Sequence, residues 1–262
     1  MVLSAPGAGL RAHRVVGLVP LRGGSKSIPG KNIRDLAGKP MCAWVLEEAL
    51  QASCIEELFV STDSREVADT VRGIDSRVRV LSRPSELAQD SSSTESVMLH
   101  FAALVPFDDL ITIQATSPLT RAAHLDAAYA HFLASGADSL LTGVRTRRFF
   151  WTADGRPLNY DPRHRPRRQD WGGVLTESGA FYITRREVLE REGCRLGGRI
   201  AVYEMGEEHA VELDEPGDWT ALERVLRARR TVPHRARGKP RHGRGDPLSA
   251  VLVDRKTAVR RP

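Results

Sequence analysis

The sequence predicts an α/β domain in three layers, a mostly parallel sheet with helices on both faces. Three observations carry that prediction. Short apolar runs rich in β-branched residues alternate with segments of helical period, the links between them are short, and 262 residues with 41% hydrophobic side chains suffice for one substantial core. Val15–Leu21 reads as the first strand and runs into a Gly-rich loop. Met41–Ala52 has Met41, Trp44 and Val45 on one helical face. Glu57–Ser61 is a strand around Leu-Phe-Val, and Arg65–Arg72 a short helix. Val78–Leu81 is a strand, Ser92–Ala103 a helix with hydroxyls suited to capping, Leu110–Gln114 a strand, Ala122–Ala134 an Ala-rich helix and Ser139–Val144 a strand. From Arg145 to Gly179 aromatic and basic residues mix without period, and an excursion this long is usually functional or an interface. Strands are expected again at Ala180–Thr184, Ile200–Met205 and Val211–Leu213. A last helix capped by Asp218 follows, with Trp219, Leu222, Val225 and Leu226 on one side.

Composition excludes several classes. No stretch approaches the roughly 18 apolar residues of a membrane span, and Met1–Leu10 lacks a charged segment followed by an apolar run, so neither a spanning nor a secreted protein is expected. Cys42, Cys54 and Cys194 form no disulfide framework and no CxxC pair, which fits a reduced intracellular compartment. The net charge of +6 divides unevenly. Residues 227–262 hold 12 Lys+Arg against 2 Asp+Glu, and the other 226 residues hold 27 against 31. The body is therefore mildly acidic, and nucleic acid is not an expected partner, because a nucleic-acid-binding fold spreads its cations over a folded face. The expected organisation is an N-terminal extension over 1–14, a body over 15–230, and a basic, disordered tail over 231–262 with targeting or polyanion binding as alternatives.

Four segments carry chemistry. Residues 21–32 (LRGGSKSIPGKN) follow the first strand, where open α/β sheets bind ligands. Glycines let backbone N–H groups face an anion, and Arg22, Lys26 and Lys31 place three cations on eleven residues, which suits a triphosphate. The loop is not a Walker A motif. Five residues, not four, separate Gly24 from Gly30, and Asn32 stands where a magnesium-binding hydroxyl would be. An exposed basic loop is the alternative. Glu212 and Asp214 are two apart, so on a strand both carboxylates would face one divalent ion, as magnesium with substrate phosphates prefers; a solvated strand face is the alternative. Gln114–Leu119 (QATSPL) offers an amide and hydroxyls to a polyhydroxylated substrate, or is a capped turn. Arg165–Trp171 (RPRRQDW) could bind carboxylate or phosphate, direct nuclear import, or be solvated.

The loop motif, Ser61–Val67 (STDSREV), Ser85–Ser93 (SELAQDSSS), QATSPL, RPRRQDW and Glu177–Ile183 (ESGAFYI) ahead of VYEM together resemble the acylneuraminate cytidylyltransferases, also called CMP-sialic acid synthetases, most of all the vertebrate form. The resemblance runs in order from about Val15 to Arg230. It implies a nucleotide-diphospho-sugar-transferase-like fold with a mixed sheet, and a reaction joining CTP and a sialic acid into CMP-sialic acid and diphosphate by in-line attack of the anomeric hydroxyl on the α-phosphate. It further implies that Arg22, Ser25, Lys26, Lys31 and Asn32 contact the nucleotide, with Arg22, Lys31 and Asp214 catalytic. Ser93 would lie by the cytidine, Gln114 and Tyr182 by the sugar, and Arg168 by its carboxylate. Glu212 and Asp214 would hold Mg2+, and residues 145–179 would join two copies in a homodimer or homotetramer. Nuclear location is implied, with cytoplasm the alternative.

Four positions depart from the family's pattern: Leu21 for Ala, Ser27 for Gly, Ser178 for Asn, and Glu212 for the first Asp of an Asp-x-Asp pair. Glu212 keeps the charge but moves the carboxylate by about one bond length, which magnesium tolerates badly. The family's vertebrate members carry a phosphatase-like domain after this one; Leu248–Asp254 resembles the start of its first strand, and the expectation is that the domain itself is absent. Two other readings stand beside this one. The first is a cytidylyltransferase for another sugar acid such as ketodeoxyoctonate. The second is a catalytically weakened paralogue whose tail binds polyanions.

Overall fold

Strand β1 (Val15–Pro20) explains why the sheet is covered on both faces. Residues Val15 to Val19 are all buried, so a strand that alternates its side chains between faces needs apolar cover on each. The computed structural model describes residues 13–211, 213 and 215–231; the expected N-terminal extension and basic tail lie almost wholly outside them. Seven strands form one sheet in the order β3-β2-β1-β4-β6-β5-β7. These are β1, β2 (Glu57–Thr62), β3 (Arg79–Ser82), β4 (Asp109–Ile113), β5 (Ser139–Thr146), β6 (Val174–Arg185) and β7 (Ile200–Met205). Pairing is parallel except that β6 runs against both β4 and β5. The mostly parallel mixed sheet expected from the sequence is therefore observed.

Helices α1 (Met41–Ala49), α2 (Arg65–Ile74), α4 (Ala122–Ser135) and α6 (Pro216–Thr231) pack one apolar cluster with Val15, Val19 and Ile111. Helices α3 (Thr94–Leu104) and α5 (Arg186–Glu192) close the other face, where Phe101 lies edge-on to Phe59 at 5.2 Å and stacks on Phe107 at 5.7 Å. Local chemistry sets the helix ends. Ser64 and Ser93 accept from Val67 N and Ser96 N as N-caps, and α4 and α5 stop at Gly136 and Gly193 in the left-handed region. Among the described residues no helix is long and apolar enough to cross a membrane.

Three local expectations change. The unpatterned stretch is shorter than 145–179, because β5 runs to Thr146 and β6 begins at Val174. The first half of β6 pairs with Gly143–Thr146 beyond a register shift after Leu141 and is largely exposed, so it carries no apolar alternation. Val211 and Leu213 are not in a strand. Leu213 N donates to Thr116 O and Leu213 O accepts from Lys31 Nζ, so its backbone serves loop contacts instead of a ladder. Asp218 is the third residue of α6 and not its N-cap; its carboxylate accepts from Glu215 N at 2.9 Å, the return half of a capping box. Helix α5 was not foreseen, since seven mostly charged residues show no period, yet Val188 and Leu189 are buried.

Candidate functional site

Because β1 to β4 are mutually parallel, the loops after them emerge at one edge of the sheet, and a cleft of about 480 Å³ opens there. Its walls come from the loop after β1, the segment from Arg83 to Thr94, and the end of β4. Of the residues singled out from sequence, Arg22, Ser25, Lys26, Lys31, Asn32, Ser93 and Gln114 all line it.

The loop is held from within. Leu21 is fully buried and its N–H donates to Ser61 O, extending the β1–β2 pairing by one residue. Leucine at this position thus serves the core. Gly23 N donates to Asp63 Oδ1 at 2.9 Å, and a Cβ on Gly23 would stand 2.6 Å from that of Ser64, so only glycine allows the approach. Asn32 Nδ2 donates to Arg22 O at 2.8 Å, Ile28 is buried, and Gly30 turns the chain at φ 64°. Ala37 is the one non-glycine residue at positive φ among the described residues, so Ser27 needs no glycine freedom.

Charge accumulates inside this frame. Arg22 Nη1 lies 2.8 Å from Asp90 Oδ1, and Lys26 Nζ 2.6 Å from Asp90 Oδ2. These two cations, Lys26 first, hold the Asp90 carboxyl below the usual carboxylate range. Lys31 Nζ donates to Leu213 O at 3.0 Å, which ties Leu213 to a cleft residue. Arg83, a residue the sequence reading missed, is buried and donates to Ser61 Oγ and O; burial pushes its guanidinium below the usual arginine range, with Asp63 opposing. Guanidinium stays protonated at any working pH, so four cations surround one cleft. Asp90 was also missed as a site residue. Arg83 directly follows a strand and Asp90 lies within the SELAQDSSS motif, and those positions were the available signal. Ser92, Ser93 and Thr94 bring the N-terminus of α3 to the wall, adding backbone N–H groups and a favourable dipole for an anion.

Two of the expected site residues, Tyr182 and Arg168, are not in the cleft wall. Tyr182 is buried on β6, donates its hydroxyl to Glu177 and lies under the Arg195 guanidinium, outside the cleft wall. Arg168 is exposed on the excursion, far along the chain from the cleft loops. Glu212 and Asp214 lie outside the described residues. Ser178, in place of the family's Asn, is buried and donates to Thr142 Oγ1 at 3.0 Å across the β5–β6 irregularity. Among the described residues no three His, Cys, Asp or Glu side chains group as a metal site.

The excursion between β5 and β6 is ordered by its aromatics. Phe149 stacks with Trp171 at 4.6 Å and meets Tyr160 at 4.2 Å, and Arg165 covers both Phe149 and Tyr160. Trp151, Leu158 and Phe150 remain exposed beside them.

Comparison with known proteins gives the same picture at three levels. The family profile described as "Cytidylyltransferase" matches residues 16–224. N-acylneuraminate cytidylyltransferase A of Danio rerio is 38% identical over 226 residues, covering 83% of this chain and 52% of the relative. N-acylneuraminate cytidylyltransferase of Oncorhynchus mykiss is 40% identical over 229 residues, covering 84% and 52%. The chain thus spans about half the length of the curated relatives it matches. In fold it is similar to a CMP:2-keto-3-deoxy-manno-octonic acid synthetase complexed with CTP, at a TM-score of 0.65 and 20% identity, over 82% of this chain and 99% of that one.

Proposed function

Because the chain belongs to the cytidylyltransferase family, we propose that it activates a sialic acid, converting CTP and an N-acylneuraminate into CMP-N-acylneuraminate and diphosphate. One observation carries the reading: Arg22, Lys26, Lys31 and Arg83 line a single cleft with a Gly loop at the carboxyl ends of parallel strands. A triphosphate is the ligand whose charge matches that set. In the reaction the sugar's anomeric hydroxyl attacks the α-phosphorus in line, and the bond to the departing diphosphate breaks. Such a step needs alignment and charge neutralisation more than covalent help. Arg22, Lys26 and Lys31 neutralise the departing oxygens. Asn32 and Asp63, through Arg22 O and Gly23 N, keep the loop from shifting. Gln114, at the end of β4, gives the sugar hydroxyls a donor and an acceptor.

Glu212 and Asp214 are the proposed ligands for Mg2+. Two carboxylates leave room for triphosphate oxygens, and Leu213 between them is tied to Lys31 and Thr116, both cleft residues. When bound, the ion would supply further charge neutralisation at the phosphates. Arg168, Tyr182 and Ser93 remain proposed contacts for the sugar carboxylate, the sugar and the cytidine. Self-association is proposed through the exposed excursion and the exposed Ile200 and Val202 of β7, and nuclear accumulation through the exposed arginines from Arg163 to Arg168. The test is diphosphate release with CTP and magnesium, run with N-acetylneuraminate, with ketodeoxyoctonate and without sugar. Release with N-acetylneuraminate alone is expected; release with ketodeoxyoctonate alone would move the substrate to another sugar acid, and none with either would remove the activity.

A further inference from the structure

Asp90 is the sole carboxylate among the described residues lining the cleft, and it occupies the place where an anionic substrate belongs. Its two oxygens are shared between the cations of the Gly loop, Oδ1 with Arg22 at 2.8 Å and Oδ2 with Lys26 at 2.6 Å. That is how two oxygens of one phosphate would engage the same pair. The bridge crosses the cleft, because Asp90 belongs to the turn between the 3-10 segment Ser85–Leu87 and α3, whereas Arg22 and Lys26 follow β1. It is not a packing support. The Lys26 side chain is 82% exposed and that of Asp90 45%, so water and salt reach the contact from outside. The loop's own anchors, Asn32 to Arg22 O and Gly23 N to Asp63, do not involve Asp90.

We infer that Asp90 is a built-in competitor for phosphate: it holds Arg22 and Lys26 in the empty cleft, yields them when a polyphosphate enters, and reclaims them as diphosphate leaves. The inference rests on the cleft being a polyphosphate site, as the proposed function has it, and assigns Asp90 a role in release. An exposed pair is weak enough for an incoming polyphosphate, with several charges, to displace it. Yet a carboxylate already beside both cations lowers the net gain from binding any anion there. Diphosphate, which lacks the nucleoside's other contacts, is penalised in the largest proportion.

The test is direct binding of inorganic diphosphate, measured by calorimetry at fixed ionic strength in the presence of a chelator, so that no metal contributes. Asp90→Asn keeps the shape and removes the charge, and should bind diphosphate roughly three- to tenfold tighter than the native chain, the sum of two exposed ion pairs released. Asp90→Glu keeps the charge and should remain within about twofold of native. In the turnover assay, inhibition by added diphosphate should strengthen in Asp90→Asn by a similar factor. If Asp90 instead positions the two cations, Asp90→Asn will bind diphosphate more weakly or equally, and either result overturns the inference even where native turnover of CTP and N-acetylneuraminate is observed. Tighter binding by Asp90→Asn together with no turnover of any sugar by the native chain would uphold Asp90's role and remove the sialic acid reading.

Discussion

Arg22 and Lys31 are the two side chains whose loss should separate chemistry from folding. Both line the cleft from a loop whose anchors are the buried Ile28 and the Asn32 amide, so truncating either cation leaves those anchors in place. Arg22→Ala and Lys31→Ala should each lower kcat/KM about 10²- to 10³-fold, the usual effect of removing one donor aimed at developing charge, while the melting temperature stays within a few degrees. Near-native turnover in either variant would remove the phosphate-cradle reading. The proposed metal ligands make a sharper case. Asp214→Asn should abolish nearly all turnover and raise the magnesium needed for half-maximal rate, whereas Glu212→Asp, which restores the family's ligand length, should lower that requirement. A magnesium titration unchanged in Asp214→Asn would end the metal assignment. The remaining departures have structural reasons: Leu21 fills the core, Ser27 sits at no glycine-only φ, and Ser178 bonds to Thr142.

At the scale of elements, the approach of the first loop to the start of α2 is the tightest fit in the site. Gly23→Ala would set a Cβ 2.6 Å from that of Ser64, so the loop must retreat and carry Arg22 with it. A shift of this size should cost roughly 10- to 100-fold in rate with little change in thermal stability. Normal activity would mean that the loop tolerates displacement. A second contact joins α3 to the turn after α5: Arg195 Nε donates to Glu95 Oε1 at 2.5 Å, with both side chains 21% exposed. Burial raises the Glu95 carboxyl, but the hydrogen bond from Arg195 and its own backbone N–H outweigh it and hold it below its ordinary 4.5. A carboxyl lowered in the folded state stabilises fully above its unfolded value, and that stability is lost as pH falls through the folded one. Glu95→Gln should therefore melt a few degrees below native at pH 7, a loss of roughly 1 kcal/mol, and the two melting curves should converge well below pH 4.5. A gap that persists at low pH would place the pair's contribution in packing.

For the molecule as a whole, the unusual feature is an apolar strip at one end of the sheet. Edge strand β7 exposes Ile200 at 47% and Val202 at 36%, and Leu175 on β6 is exposed beside them. Gly143 lies between, where a side chain would meet Val202 and Leu175 at 3.2 and 3.4 Å. An exposed edge with apolar residues invites pairing unless it is covered. If this strip joins two copies, Val202→Glu should shift sedimentation equilibrium toward monomer without lowering the melting temperature of the monomer. A native chain that sediments as a monomer at tens of micromolar (roughly the range where weak interfaces associate) would refute it.

The alternation of strands and helices, the cationic Gly loop and the hydroxyl-rich start of α3 were legible in sequence because each depends on local pattern: period, turn chemistry and capping. So were most of the cleft residues, since segments after consecutive parallel strands must converge at one edge. What only the tertiary structure decided are relations between segments distant in the chain. Asp90 meets Arg22 across 68 positions, Arg83 is buried under Ser61, and β6 enters the sheet antiparallel between β4 and β5. Tyr182 donates to Glu177, five residues back on the same strand, where β6 passes its register shift against β5, a contact that no alternation of apolar residues records. Val211–Leu213 reads as a strand from its residues, yet Lys31 and Thr116 claim its backbone first, because a hydrogen-bonding group satisfied by a loop has none left to offer a neighbouring strand.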